Sequence, residues 1–369
     1  MVGGGQLARM TGQAAISLDV GFRVLADTIT DSAARACPAA MIGDYRSLAD
    51  LLAFARGCDV VTFDHEHVPG EQLAELAGAG VTMHPGPSAL RHAQDKLVMR
   101  EALTALGLPC PRYAPVTSLA EVEEFAATAG WPVVLKAVRG GYDGRGVWVC
   151  EDAAQAGGVL GHGVAVFAEQ HVPFRRELAA LAARSPHGQA AVYPVVETVQ
   201  RDGVCHEVIA PAPGLPAFLA EEAQQLALTI AAGLEVTGLL AVELFETGNG
   251  LLVNELAMRP HNSGHWTMDG ASTPQFEQHL RAVLDLPLGE VGRVAPVTVM
   301  ANVFGGGDPD VYSRYAHVMA ADPGVRVHLY GKAVRPGRKI GHVNVLGDDP
   351  LALADRAGRA ARYLGSGKE

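Results

Sequence analysis

The chain has 369 residues, 49% hydrophobic and 19% charged, with a formal net charge of −11. That length allows two or three domains with large cores, the composition excludes a disordered chain, and the acidic balance excludes a general nucleic-acid binder. Cys37, Cys58, Cys110, Cys150 and Cys205 are odd in number and form no C-x-x-C pair, which fits free thiols in a reduced, cytoplasmic protein.

The opening Met1-Val2-Gly3 carries no charged n-region and no apolar h-region, so no signal peptide is read. "GGGQLARM" at 3–10 spells Gly3-x-Gly5-x-x-Ala8, a weak dinucleotide fingerprint. Only two residues precede the glycines, where a full strand should stand, so most of that strand is expected upstream of Met1. A tight strand-to-helix turn without a dinucleotide is the favoured reading. Next come a strand over 21–27, an amphipathic helix over 45–57 and a strand over 59–66, and "VTMHPGPSAL" (81–90) closes the block with two prolines. This βαβ rhythm predicts a parallel sheet covered by helices.

From Gln94 to about Pro111 a helix leading into a proline-flanked linker is expected, and another helix over 118–130. A glycine-rich hairpin, "VRGGYDGRGVWV" (138–149), follows the apolar strand that carries Lys136. Strands are read over 164–172, 176–184 and 191–203, then a helix over 219–233 and a hairpin over 239–256. The window Leu226–Phe245 is broken by Gly233, Glu235, Gly238 and Glu243, and reads as a buried helix and strand, not as a membrane span. "RVAPVTV" (293–299) marks a boundary before a small terminal unit.

An ammonium in an apolar strand is expensive to bury unpaired, and the glycine turn beside Lys136 exposes backbone N–H groups suited to phosphate oxygens. Arg139 and Arg145 add charge to the same turn, so the segment reads as a flap over a polyphosphate. In the later hairpin, a four-residue loop sets Glu243 opposite Asn254; one further loop residue, or a bulge, sets it opposite Glu255. Two carboxylates on one face repel unless one is protonated or a cation lies between them, and Mg2+ suits such a pair. The bland alternative is two solvated edge-strand glutamates. Arg259, His261, Asn262, Ser263 and His265 follow as a dense donor set for an anionic substrate. Zinc on His261 and His265 lacks a third ligand, and "HEH" at 65–67 has the same weakness. Lys332, Arg335, Arg338 and Lys339 crowd around Pro336-Gly337, where a phosphate site and a solvated basic turn are equally open.

With "GGYDGRG" (140–146), "NELAMRPHNSGHWT" (254–267) and "VRPGRKIGH" (334–342) in family order, the chain resembles the ATP-grasp superfamily. Within it, the resemblance is to the N5-carboxyaminoimidazole ribonucleotide synthetases, and "GGGQLARM", "QDK" (94–96) and "AEQHVPFRREL" (168–178) add weaker support. The resemblance implies an α/β, in part α+β, ATP-grasp fold. Its domains would be a Rossmann-like N-terminal unit over 1–93, an ATP-grasp domain over 94–292 with a flap at about 112–165, and a small C-terminal domain over 293–369.

It further implies that Lys96, Lys136, Gly141, Tyr142, Asp143, Gly144, Arg145, Gly146 and Val147 hold ATP phosphates. Glu169, Gln170, His171 and Val172 would form the adenine hinge, Glu177 would take the ribose, and Asn254 would sit beside the phosphates. Glu243 and Glu255 would hold Mg2+, with Mn2+ as a substitute. Tyr142, Asp143, Arg145, Arg259, His261, Asn262, Lys332 and Arg338 would face aminoimidazole ribonucleotide or bicarbonate, with Arg259, Asp143 and Arg145 closest to the chemistry. The implied protein is a cytoplasmic homodimer that uses small-molecule substrates, with neither nucleic acid nor membrane as partner.

Three positions depart from the family pattern: Lys96 stands for an arginine, Gln200 for a histidine and Met258 for a proline. A formate-dependent glycinamide ribonucleotide transformylase is the near alternative. A nicotinamide-dependent oxidoreductase using Asp27, and a non-catalytic nucleotide-binding regulator, are the distant ones.

Overall fold

A computed structural model describes residues 1–141 and 144–367. Helix α1 (Gln6–Ser17) follows the glycine turn, and strands β1 (Val24–Ala26) and β2 (Ala40–Ile42) pair in parallel. Val2 bridges both Leu25 and Phe63 in parallel, and Val61 bridges Met83. The expected strand over 59–66 is therefore reduced to two bridge positions. It stops there because Asp64 and Glu66 turn away to bond Gly5 and Arg259. Helices α2 (Leu48–Ala55) and α3 (Gly70–Gly78) bury Leu51, Phe54, Leu73 and Leu76 against Val2, Leu25 and Phe63.

Helices α4 (Pro87–Gln94) and α5 (Lys96–Ala105) lead out of this block, with Asp95 capping α5 through the amide of Val98. The flap unit comprises β3 (Tyr113–Val116), α6 (Leu119–Ala129), β4 (Val133–Ala137), β5 (Val147–Cys150), α7 (Ala153–Leu160) and β6 (Val166–Gln170). Its antiparallel sheet runs β3-β6-β4-β5. Ser118 and Glu121 form a capping box that starts α6. Alternation along β4 sends Val133 and Leu135 into the flap core and leaves Lys136 on the other face.

The remaining strands are β7 (Phe174–Arg184), β8 (Ala190–Val192), β9 (Val196–Arg201), β10 (Val204–Ala210), β11 (Gly238–Thr247), β12 (Gly250–Ala257), β13 (Val297–Phe304), β14 (Arg326–Leu329) and β15 (Lys339–Gly347). Among the described residues these nine form one sheet, ordered β12-β11-β7-β9-β10-β13-β15-β14, with β8 on β7. The strand read over 191–203 is split at Tyr193-Pro194-Val195, because proline offers no N–H to the ladder. The last seventy residues are not a detached unit in hydrogen-bonding terms: β13 pairs with β10 and continues the same sheet.

Helix α8 (Ala217–Gly233) packs Leu226 and Ile230 against Leu178, Ala180, Leu240 and Val242 on one face. The other face buries Ala179, Leu181 and Ala241 under Trp266 and Ala282, from the segment carrying α9 (Thr267–Gly270) and α10 (Gln275–Val283). Helices α11 (Val311–Ala321) and α12 (Pro350–Ser366) cover the terminal strands. Among the described residues, no helix is long and apolar enough to cross a membrane.

Candidate active site

The hairpin β11–β12 turns on Gly248-Asn249, with Thr247 opposite Gly250, so an even register carries Leu244 opposite Val253. The register then shifts by one residue: Glu243 faces Glu255, and Asn254 is the extra residue of a β-bulge. The shift brings both carboxylates onto one face, and Glu177 of β7, opposite Phe245, shares that face. Glu243 is walled in by neighbours, yet its side chain stays 30% exposed and that of Glu255 42%, which describes the floor of a cleft. Burial, reinforced by Glu255 and Glu177, holds the Glu243 carboxyl well above the usual carboxylate range. This is the electrostatic signature of a pair that lacks enough positive charge. Two hard oxygen donors fit Mg2+ or Mn2+, which take one or two protein carboxylates and fill the rest of the shell with phosphate and water.

Lys136 crosses from the flap to this cleft. Its Nζ donates to Asn254 Oδ1 at 3.0 Å and pairs with Glu169, whose other oxygen takes the guanidinium of Arg100 at 2.7 Å. Burial alone would raise the Glu169 carboxyl, but Lys136 and Arg100 more than reverse that and leave it below the ordinary range. Burial pulls the Lys136 ammonium down, and Arg100 and Lys96 add to this against the attraction of Glu169. Two cations thus share one carboxylate, which leaves Lys136 the group with charge to offer an incoming anion. Lys96 pairs with Glu255, so the lysine standing for the family's arginine supplies a cation at the carboxylate pair.

The glycine-rich hairpin lies above. Ala137 N–H donates to Gly146 O, and Lys96 N–H to Val138 O, which ties the flap base to the start of α5. Arg139 adds an ion pair to Asp95 at 2.9 Å. Gly144 and Gly146 both have φ of +74°, and a Cβ on Gly144 would press on the backbone of Asp202-Gly203 in the β9–β10 turn. Only glycine allows the tip to sit this close at that φ. The expected roles of Tyr142 and Asp143 lie outside the described residues.

At the proposed adenine hinge, Glu169 does not present a free carboxylate, because Arg100 and Lys136 occupy it. Gln170 accepts from Arg112 at 3.2 Å, Val172 is buried and His171 exposed. The half-buried Glu177 has its pKa raised by desolvation.

The segment after β12 brings its donors to the same cleft. Arg259 Nε donates to Glu66 at 2.8 Å, and Glu66 also accepts from the Met258 amide at 3.2 Å. A proline has no N–H and could not make that second bond, so methionine here adds a backbone tie to Glu66. His261 Nε2 lies 3.4 Å from Glu243, and its Nδ1 is 2.8 Å from Ser263 Oγ. Burial, with Arg259, His265 and Lys339 nearby, holds this imidazole neutral. Asn262 differs from the expectation of a substrate-facing amide: it exchanges two hydrogen bonds, 3.0 and 2.8 Å, with Asn302 of β13. The His265 ring bonds Gln275 through Nδ1 at 2.9 Å and lies tilted against His342, while the His261 ring faces Glu243 and Ser263, so the two imidazoles have different partners. No cluster of three or more His, Cys, Asp or Glu groups suited to a metal occurs among the described residues.

In the terminal cluster, Lys332 lies over the Tyr330 ring and Lys339 acts on His261 and His265. Arg338 is exposed, donating to Ala333 O at 3.2 Å. Asp64 bonds the amide of Gly5 at the start of α1, near Arg259 and Lys332. A buried carboxylate at that helix end stands where a dinucleotide's pyrophosphate would have to lie, which argues against the oxidoreductase.

Three members of the site were not singled out from sequence: Asp64, Arg100 and Asn302. Only Arg100 carried a usable cue, its i+4 spacing from Lys96 on one helix face.

Three family models match the chain: a ribonucleotide synthetase preATP-grasp domain over 1–94, an ATP-grasp domain over 101–276 and a phosphoribosylaminoimidazole carboxylase C-terminal domain over 298–356. The N5-carboxyaminoimidazole ribonucleotide synthase of Mycobacterium tuberculosis is 59% identical, covering 100% of this chain and 88% of the relative. That of Corynebacterium ammoniagenes is 50% identical, covering 99% and 91%. The crystal structure of the Thermus thermophilus synthetase superposes with a TM-score of 0.88 at 37% identity, covering 100% of this chain and 99% of that one. The Aspergillus clavatus synthase, solved with ADP and 5-aminoimidazole ribonucleotide, gives 0.88 at 31%, covering 98% of both chains. A match over the whole of this chain at such identity, over a fold with the same three parts, places this chain in the N5-carboxyaminoimidazole ribonucleotide synthase family of ATP-grasp proteins.

Proposed function

We propose that the chain carboxylates 5-aminoimidazole ribonucleotide with bicarbonate, converting ATP to ADP and phosphate, in purine biosynthesis. The observation that carries this reading is the single cleft in which Lys136, Asn254 and the Glu243–Glu255 pair meet beneath a glycine-rich flap. Lys136, Lys96 and the Gly141–Val147 loop hold the ATP phosphates, residues 169–172 the adenine and Glu177 the ribose. Glu243 and Glu255 hold Mg2+, which neutralises charge on the phosphate oxygens when bound.

A bicarbonate oxygen attacks the γ-phosphorus, the bond to the β-phosphate oxygen breaks, and carboxyphosphate and ADP result. The exocyclic amine of the ribonucleotide then attacks the carbon of carboxyphosphate, or of CO2 released from it; phosphate leaves and takes up the amine proton, giving the N5-carboxyamino product. Arg259, fixed by Glu66, serves the bicarbonate and carboxyphosphate oxygens, and Asp143 and Arg145 are assigned to the same chemistry. Closure excludes water from an intermediate that hydrolyses readily. On this reading the 1–93 and 293–369 parts present the ribonucleotide to the 94–292 domain.

ADP release should require aminoimidazole ribonucleotide and bicarbonate together. Release that needs only one of them, or that formate and glycinamide ribonucleotide support instead, would overturn the reading.

Lys332 and Arg338 take the ribonucleotide 5′-phosphate, with His261 beside the imidazole. A charge-assisted bond to phosphate contributes about 1.5–3 kcal/mol, so Arg338→Ala should raise the ribonucleotide KM about tenfold or more. The KM for ATP should barely move. Steady-state kinetics with each substrate varied in turn decides this, and a rise in the ATP KM alone, or in neither, returns Arg338 to the solvated surface.

A further inference from the structure

The bulge that makes the carboxylate pair needs an explanation, because an extra residue leaves backbone groups without ladder partners. Among the described residues β12 is the outermost strand of its sheet, and no further strand takes the Val253 and Asn254 carbonyls. Arg100 does. Its Nη1 donates to Val253 O at 3.0 Å and its Nη2 to Asn254 O at 2.7 Å, while Nε donates to Glu169 at 2.8 Å. The side chain is fully buried, and all three partners lie far away in sequence. The planar fork of a guanidinium spans adjacent acceptors in a way an ammonium cannot. Four residues earlier on the same helix, Lys96 pairs with the carboxylate of Glu255 itself. Helix α5 thus grips β12 twice, once through the bulge backbone and once through the residue the bulge re-aims.

We infer that Arg100 is a positioning residue for the metal carboxylates: it pins the Val253–Asn254 carbonyls and so keeps Glu243 opposite Glu255. Without it β12 can relax by one residue into the even register of the hairpin end, which would set Asn254 opposite Glu243 and turn Glu255 to the other face. The inference rests on the reading of Glu243 and Glu255 as metal ligands.

The test is Mn2+ titration of the full-length chain at saturating ADP, read by electron paramagnetic resonance, beside ADP affinity measured without metal. Arg100→Met should weaken Mn2+ binding tenfold or more while metal-free ADP affinity changes less than threefold, a split that general loosening of the fold would not give. Arg100→Lys keeps a cation beside Glu169 and loses the fork, so it remains measurable if the methionine variant fails to fold; it should weaken Mn2+ at least threefold. Glu243→Gln is the reference for the metal site. Native Mn2+ affinity in an Arg100 variant, with Glu243→Gln impaired, overturns the positioning role alone. Native affinity in Glu243→Gln as well overturns the metal reading and this inference together. Equal loss of Mn2+ and ADP affinity in both Arg100 variants also counts against it, since the effect would then lie in the fold.

Discussion

Exchanging Glu255 for glutamine should abolish Mg2+-supported ADP formation and leave the protein folded. Glu255 lies directly opposite Glu243, placed to share a cation with it, and its amide would keep the shape while losing the charge. A metal stabilises a transferring phosphoryl group by several kcal/mol, and each 1.36 kcal/mol is tenfold in rate, so kcat should fall about a thousandfold or more. Stability should move the other way. Glu243 titrates high because of burial and then because of Glu255, and removing the second carboxylate relieves that repulsion. The ion pair to Lys96 is lost, but it lies on a partly exposed glutamate and offsets little. Calorimetry without metal should therefore give a melting temperature equal to the native one or above it. Native kcat at saturating Mg2+ would remove Glu255 from the metal site.

This pair also marks how far the sequence could be read. Two glutamates and an asparagine in facing apolar strands pointed to a shared cation, and the spacing showed that an odd register or a bulge was required. Which of the two occurs was not legible, because the turn is a two-residue Gly248-Asn249 loop whose even register holds only as far as Leu244. The bulge depends on Arg100, and the acceptors of Arg100 are backbone carbonyls about 150 residues away, which no local pattern encodes. Lys136 was legible for the opposite reason: a lysine in an apolar strand is anomalous wherever it is met.

The same distinction runs through the fold. Helices with local caps, such as Ser118–Glu121 at α6 and Asp95 at α5, lie close to where the sequence sets them. The continuity of the terminal strands with the central sheet did not show, because whether β10 pairs with β13 is a choice between edges remote in sequence. Asn262 was misjudged on the same grounds. An amide in a donor-rich loop looks substrate-facing until Asn302, 40 residues on, is found to satisfy it.

Lys136→Ala should lower kcat/KM for ATP about a hundredfold while the ribonucleotide KM changes little. The lysine approaches the cleft from the flap strand, and its present partners already have others: Glu169 keeps Arg100, and Asn254 can turn to solvent or ligand. What the cleft loses is the ammonium that bonds Asn254 and can leave Glu169 for a phosphate oxygen. One such charge-assisted bond contributes about 1.5–3 kcal/mol, and the upper end applies where solvent is excluded and charge moves onto the phosphate during transfer. Structural damage should be modest, because Glu169 is not left as an unpaired buried charge, the case that costs several kcal/mol. Lys136→Met, which keeps the apolar stem against the flap sheet, separates the two effects: it should melt like the native protein and show the same loss with ATP. If both variants turn over ATP normally, Lys136 is only the counter-ion of Glu169. If alanine alone is impaired, the lysine stem matters and its charge does not.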